Sequence, residues 1–215
     1  MFSLAITLVV APLIKIPPGL EIFSYDGLMV TIQQLMIGLM SGFVLQITFA
    51  AVVFGGQAVA SGMGLGFASM VDPQDGQQVP VIAQFYVVIC TLLFLVMNAH
   101  LLIIEMLVDS FKTIPIGLDG FDKADLWMLL EWSRQLFSVG LLLSLPMIAS
   151  LLFVNISFGV ATRAAPQLQI FSVGFPVTIA LGLFLMWMTL PDVVAFISED
   201  MLTDAYEFIG QLLKL

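Results

Sequence analysis

The chain has 215 residues, 60% of them hydrophobic and 10% charged, with a mean hydropathy of +1.11 and a net charge of −9. Soluble domains hold about 25% charged residues, so this composition belongs to an integral membrane or membrane-complex protein. The negative balance argues against nucleic acid and against a polybasic grip on anionic lipid, and a single Cys beside a single His leaves neither a disulfide framework nor Cys/His metal spacing, so no metal or cofactor is expected.

The first stretch, Met1–Ile14, is apolar from its first residue. It lacks the positive start and small-residue cleavage site of a signal peptide, and it falls short of the roughly 20 residues that cross a bilayer. It reads as the second half of a longer hydrophobic unit. Lys15-Ile-Pro17-Pro18-Gly19 ends it, and Glu21–Asp26 leads into a run from Leu28 to about Ala60. That run is expected to be one helix of about 50 Å at 1.5 Å per residue, against a hydrocarbon core of about 30 Å. The next, Val79 to about Thr113, is equally long, reads as one helix, and is stopped by Pro115 and Gly117. Such lengths imply tilted, kinked or partly extramembrane helices buried against other protein.

A fourth segment runs from Leu126 to about Thr162 with Pro146 as its kink, and Arg163–Gln169 makes the next turn. The fifth, Ile170–Leu190, is closed by Pro191. Beyond it, residues 192–215 read as an acidic amphipathic helix. Val193, Ile197, Met201, Ala205, Phe208 and Leu212 recur at three- and four-residue steps, with Asp192, Glu199, Asp200, Asp204 and Glu207 off that stripe. No strand pattern appears. The expectation is an all-α fold, one membrane-associated bundle of long kinked helices and helical hairpins over residues 1–215.

Between the second and third runs lies Gly62-Met63-Gly64-Leu65-Gly66-Phe67-Ala68-Ser69-Met70-Val71-Asp72-Pro73, rich in glycine and sulfur and nearly uncharged. A loop of this kind belongs inside protein. Its glycines reach backbone angles that other residues avoid, Met63, Phe67 and Met70 offer deformable apolar bulk, and Asp72-Pro73 turns the chain back. It is not a nucleotide cradle, because it follows a helix and lacks the Lys-Ser/Thr of a P-loop. Gly38 and Gly42 form a small-xxx-small pair, continued by Gly55 and Gly62, which serves close helix packing either within the chain or between subunits. Gln46 and Gln57 need partners from other helices or trapped water.

Among ionisable residues in apolar runs, Glu105, Asp109 and Lys112 share one helix face, where Lys112 can offset Asp109. Asn98 and His100 read as a helix–helix hydrogen-bonding pair, and Arg163 as an anchor that caps a helix end or meets a neighbour's carboxylate. Gln46, Gln57, Asn98, His100, Glu105, Asp109 and Arg163 thus form a set of expected polar intersubunit contacts. None has the nucleophile–base company of an enzyme.

Taken together, Gln57 and Gly62–Pro80, Asn98–His100, Val108-Asp109-Ser110-Phe111, Ile114-Pro115-Ile116-Gly117, and Arg163–Ile170 with Gly174-Phe175-Pro176 resemble the FliR family of the flagellar type III export gate, related to the SctT component of virulence secretion systems. The resemblance runs from Leu4 to about Gly210. Family members usually carry another hydrophobic helix upstream of Met1. The resemblance implies a FliP/FliQ-fusion-like fold and a bacterial inner-membrane location within the flagellar basal body. Implied partners are FliP-like and FliQ-like gate subunits, an FlhB-like subunit, unfolded export substrates and membrane lipid. It also implies that Met63–Val79 is the plug loop, sealed by Phe67, Met70 and Val71. A virulence-secretion gate subunit and a secondary transporter for a small solute are the alternatives, the latter wanting inverted repeats and a midplane charged site.

Overall fold

The computed structural model describes residues 2–14, 24–65, 80–117, 122–164 and 174–215. Among these there is no strand. The helices are α1 (Phe2–Val10, followed by a 3-10 turn at Ala11–Leu13), α2 (Tyr25–Gly62), α3 (Val81–Val96), α4 (Ala99–Thr113), α5 (Lys123–Trp132), α6 (Gln135–Ala164), α7 (Phe175–Ala195), a π-helical turn at Phe196–Met201, and α8 (Leu202–Leu212). Tyr25–Gly62, Lys123–Arg163 and Phe175–Leu212 are long and apolar enough to cross a membrane, and Val81–Val96 with Ala99–Thr113 adds a fourth if the pair is one broken span. The chain is thus an all-helical membrane protein, as its composition requires.

Three expectations about helix boundaries need correction. The run Val79–Thr113 is not one helix: it breaks at Asn98, whose φ of 55° and ψ of 25° are left-handed. Asn reaches that region more readily than other side chains because its short amide bonds locally. The apolar residues on either side hid the break. The fourth segment carries a turn at Ser133 and Arg134 within the span Lys123–Arg163, and it begins earlier than expected. Asp122 caps α5 in a reciprocal box: its carboxylate accepts from the Lys123 amide at 2.6 Å, while Asp125 accepts from the Asp122 amide at 2.9 Å. Asp122→Ala should cost about 1 kcal/mol, read as faster amide hydrogen exchange confined to the first turn of α5; unchanged exchange there would refute the cap.

Nor does Pro191 close the fifth helix. α7 continues through it, and the π turn joins α7 to α8. An interior proline costs about 3 kcal/mol, whereas burying a large aliphatic side chain returns about 1.5–3 kcal/mol. Val193, Ile197 and Met201 are all buried just beyond it, so continuing the helix is favoured. The π turn also keeps this stripe in line. Steps of four residues overshoot a 3.6-residue turn by about 40° each, and a wider turn absorbs the drift.

The described residues fall into two compact units. One comprises residues 1–46, 97–133 and 204–215. Its core joins Ile37 and Val44 of α2, Ile114, and Phe208, Ile209 and Leu213 at the C-terminal end, with Met106, Leu107, Met128, Leu129 and Trp132 packed around them. Trp132 stacks on Phe208 with ring centroids 4.3 Å apart, and the Thr113 hydroxyl donates to the Leu213 carbonyl at 2.7 Å. The other unit comprises residues 47–96 and 134–203, and holds the candidate site.

Candidate functional site at the base of the glycine-rich loop

Within this second unit, α2 ends in a well-formed C-cap. The Leu65 amide donates to the Ala60 carbonyl and the Gly64 amide to the Ser61 carbonyl, both at 3.0 Å, which is the Schellman pattern. Gly64 takes the left-handed position with φ of 83°, so glycine there serves helix termination. Gly66, Phe67, Ala68, Ser69, Met70, Val71, Asp72 and Pro73 lie outside the described residues. The far side of the loop is picked up at Pro80, whose carbonyl accepts from the Gln84 amide as α3 begins.

The base of the loop is anchored by Met63, which is fully buried. Its thioether arm lies on Gly182 of α7, where an added Cβ would stand 2.6 Å from the Met63 Cγ, and the Phe175 ring covers Gly64, 3.2 Å from where its Cβ would be. Met63 is therefore held as core. Met40, Met147 and Met201 are buried too, and the Tyr86 hydroxyl donates to the Met147 sulfur at 3.3 Å.

The glycines separate into two kinds. A Cβ on Gly55 would stand 2.9 Å from the Gly140 carbonyl oxygen of α6, one on Gly140 would stand 2.8 Å from the Ala51 carbonyl oxygen, and one on Gly56 would stand 2.5 Å from the Ala83 Cα of α3. Backbone approach this close needs glycine. Gly62 has only ordinary contact with Leu151, at 3.4 Å. Gly38 and Gly42 have nothing within 4 Å and are exposed, so none of the described residues packs closely against them. Sequence reasoning missed Gly56, Gly140, Gly182 and Phe175. The available signals were glycines inside apolar helices and Phe175 within Gly174-Phe175-Pro176, with nothing to say which neighbour each meets.

The expected polar set is dispersed. Gln46, Gln57, Asn98, Glu105 and Arg163 are exposed, while His100 and Asp109 are half-buried. Lys112 pairs with Asp109 at 2.5 Å, as their spacing anticipates. Among the described residues no three His, Cys, Asp or Glu side chains come together as a metal site. What the arrangement can do is mechanical. Apolar helices meet at glycine and hold Met63 and Gly64 beneath α7.

Comparison with known proteins decides the family. Residues 1–203 match the family of bacterial export proteins, family 1. The flagellar biosynthetic protein FliR of Escherichia coli (strain K12) is 36% identical over 213 residues, covering 99% of this chain and 80% of that one. The chain belongs to the FliR family. FliR of Pectobacterium carotovorum is 36% identical over 208 residues, 97% of this chain and 79% of its own, and FliR of Bacillus subtilis is 30% identical over 202 residues, 93% and 77%. The FliR similarity extends along nearly the whole chain and so spans the loop base, the glycine crossings of α2 and the π-turned C-terminal helix alike.

Proposed function

We infer that this chain is the FliR-type subunit of a flagellar type III export gate in the bacterial inner membrane, within the flagellar basal body. It assembles with FliP-like and FliQ-like subunits, beside an FlhB-like subunit, around a pore through which unfolded export substrates pass. Family membership supports the export role. The observation that supports assembly is the bare face of α2: Gly38 and Gly42 stand exposed among Leu35, Leu39 and Phe43, which are 62%, 68% and 45% exposed. Small residues on an apolar helix permit close approach by another helix, and among the described residues none approaches.

In this reading Met63–Val79 is the plug loop. Three of its residues are among those described, and the burial of Met63 with the cap at Gly64 and Leu65 supplies a fixed base from which the apolar remainder, with Phe67, Met70 and Val71, reaches into the pore. The subunit is passive, and energy comes from elsewhere in the apparatus. Affinity purification from detergent-solubilised membranes tests the assignment. The chain should come out bound to several copies of two other small hydrophobic proteins, and a homomeric or solitary, monodisperse protein would overturn it.

A further inference from the structure

We propose that α6 and α7 form a paired hinge at the level of Pro146 and Pro191, and that its motion controls whether Met63 stays clamped beneath Gly182. Three separate features meet at this level. Pro146 stands inside α6 and Pro191 inside α7, so the carbonyls of Leu142 and Trp187 lose their helical donors. The π turn Phe196–Met201 follows within two turns, a further interruption of the regular ladder. Between the two helices lies a groove of about 240 Å³, open at the surface, lined by Leu142, Pro146 and Met147 on one side and by Thr189, Asp192 and Phe196 on the other. Tight packing transmits strain and resists bending; an open groove between two interrupted helices leaves their facing sides less tightly packed at this level.

Hydroxyls flank the same level. Ser150 donates to the Pro146 carbonyl at 2.9 Å, Thr189 to the Leu185 carbonyl at 3.0 Å and Ser198 to the Val194 carbonyl at 2.9 Å. Back-bonds of this type bend helices and offer carbonyls a partner when the ladder opens. The lever is long. Phe175 stands 16 residues from Pro191, or about 24 Å at 1.5 Å per residue. A change of about 20° at the proline therefore carries Phe175 through about 8 Å, enough to lift its ring from Gly64. Gly182, nine residues from Pro191, moves by about half as much, enough to release Met63. Asp192, a charged side chain on this level of α7, is exposed at the groove.

The inference does not depend on what passes through the assembly, and its test reads side-chain access instead of export. In membranes, the full chain with its partners would carry Cys90→Ala and Met63→Cys, and N-ethylmaleimide labelling at position 63 would be timed. Adding Pro146→Ala and Pro191→Ala restores two backbone donors and should slow labelling at least tenfold. Labelling at an exposed control, Ser61→Cys, should not change. Equal rates at position 63 with and without the prolines would overturn the proposal. Hydrogen exchange on the unsubstituted protein gives an independent reading. Amides 192–200 should exchange at least 100-fold faster than amides 178–186 of the same helix, and equal protection would likewise overturn it.

Discussion

Gly56→Leu is expected to prevent recovery of a folded chain. Even the Cβ of the new side chain would stand 2.5 Å from the Ala83 Cα, and backbone cannot move aside as a flexible side-chain tip does. Overpacking a core costs about 1–3 kcal/mol when side chains can adjust. Here α2 and α3 must separate as rigid rods and give up contacts along their length, so the cost lies at or beyond the top of that range. Folded proteins are stable by only about 5–15 kcal/mol, which makes the loss a large fraction of the whole. The monodisperse fraction after detergent extraction should fall several-fold and its midpoint of thermal aggregation should drop. Gly42→Leu is the matching control, because its Cβ meets nothing within 4 Å. That variant should fold as the parent does yet fail to assemble with the FliP-like and FliQ-like subunits, seen as lost complex by native mass measurement. Wild-type assembly by Gly42→Leu would mean that this face meets lipid. Normal extraction of Gly56→Leu would mean that the α2–α3 crossing is loose.

Deleting Gly64–Val71 should leave the assembly intact and make it leak ions. The cut falls after Met63, so the buried anchor against Gly182 remains, and the loss of the Gly64 cap frees carbonyls at one helix end only. What disappears is the apolar material assigned to the pore. A ring or plug of apolar side chains blocks water and ions by dewetting, without a rigid fit, and shortening it opens a wetted path. Planar-bilayer conductance of purified wild-type and deleted complexes measures this directly. A deleted complex that assembles and stays as tight as wild type would falsify the plug assignment.

What could be read from the sequence was whatever depends on neighbours one or two helical turns away. Composition alone assigned the chain to the helical membrane class. The apolar run Leu28–Ala60 lies within α2, and the stripe Val193, Ile197, Met201, Ala205, Phe208 and Leu212 is buried at every position. The Lys112–Asp109 pair follows from three-residue spacing. The family was legible as well, because its motifs are contiguous and survive in the linear chain.

Tertiary structure decided the rest, since the deciding partner in each case lies far away in sequence. Gly42 and Gly55 look alike in the chain; one faces open space and the other the Gly140 carbonyl. Pro191 reads as a helix end until the burial of Val193 and Ile197 beyond it is known to outweigh one lost hydrogen bond. Asn98 reads as a polar residue within one long helix, and only the backbone shows the left-handed turn that divides it. Met63 reads as deformable apolar bulk in a glycine-rich loop, and only the fold shows that a glycine 119 residues on makes the pocket that buries it. Local pattern determines what a segment prefers to be, and packing across the fold determines where it stops and what it touches.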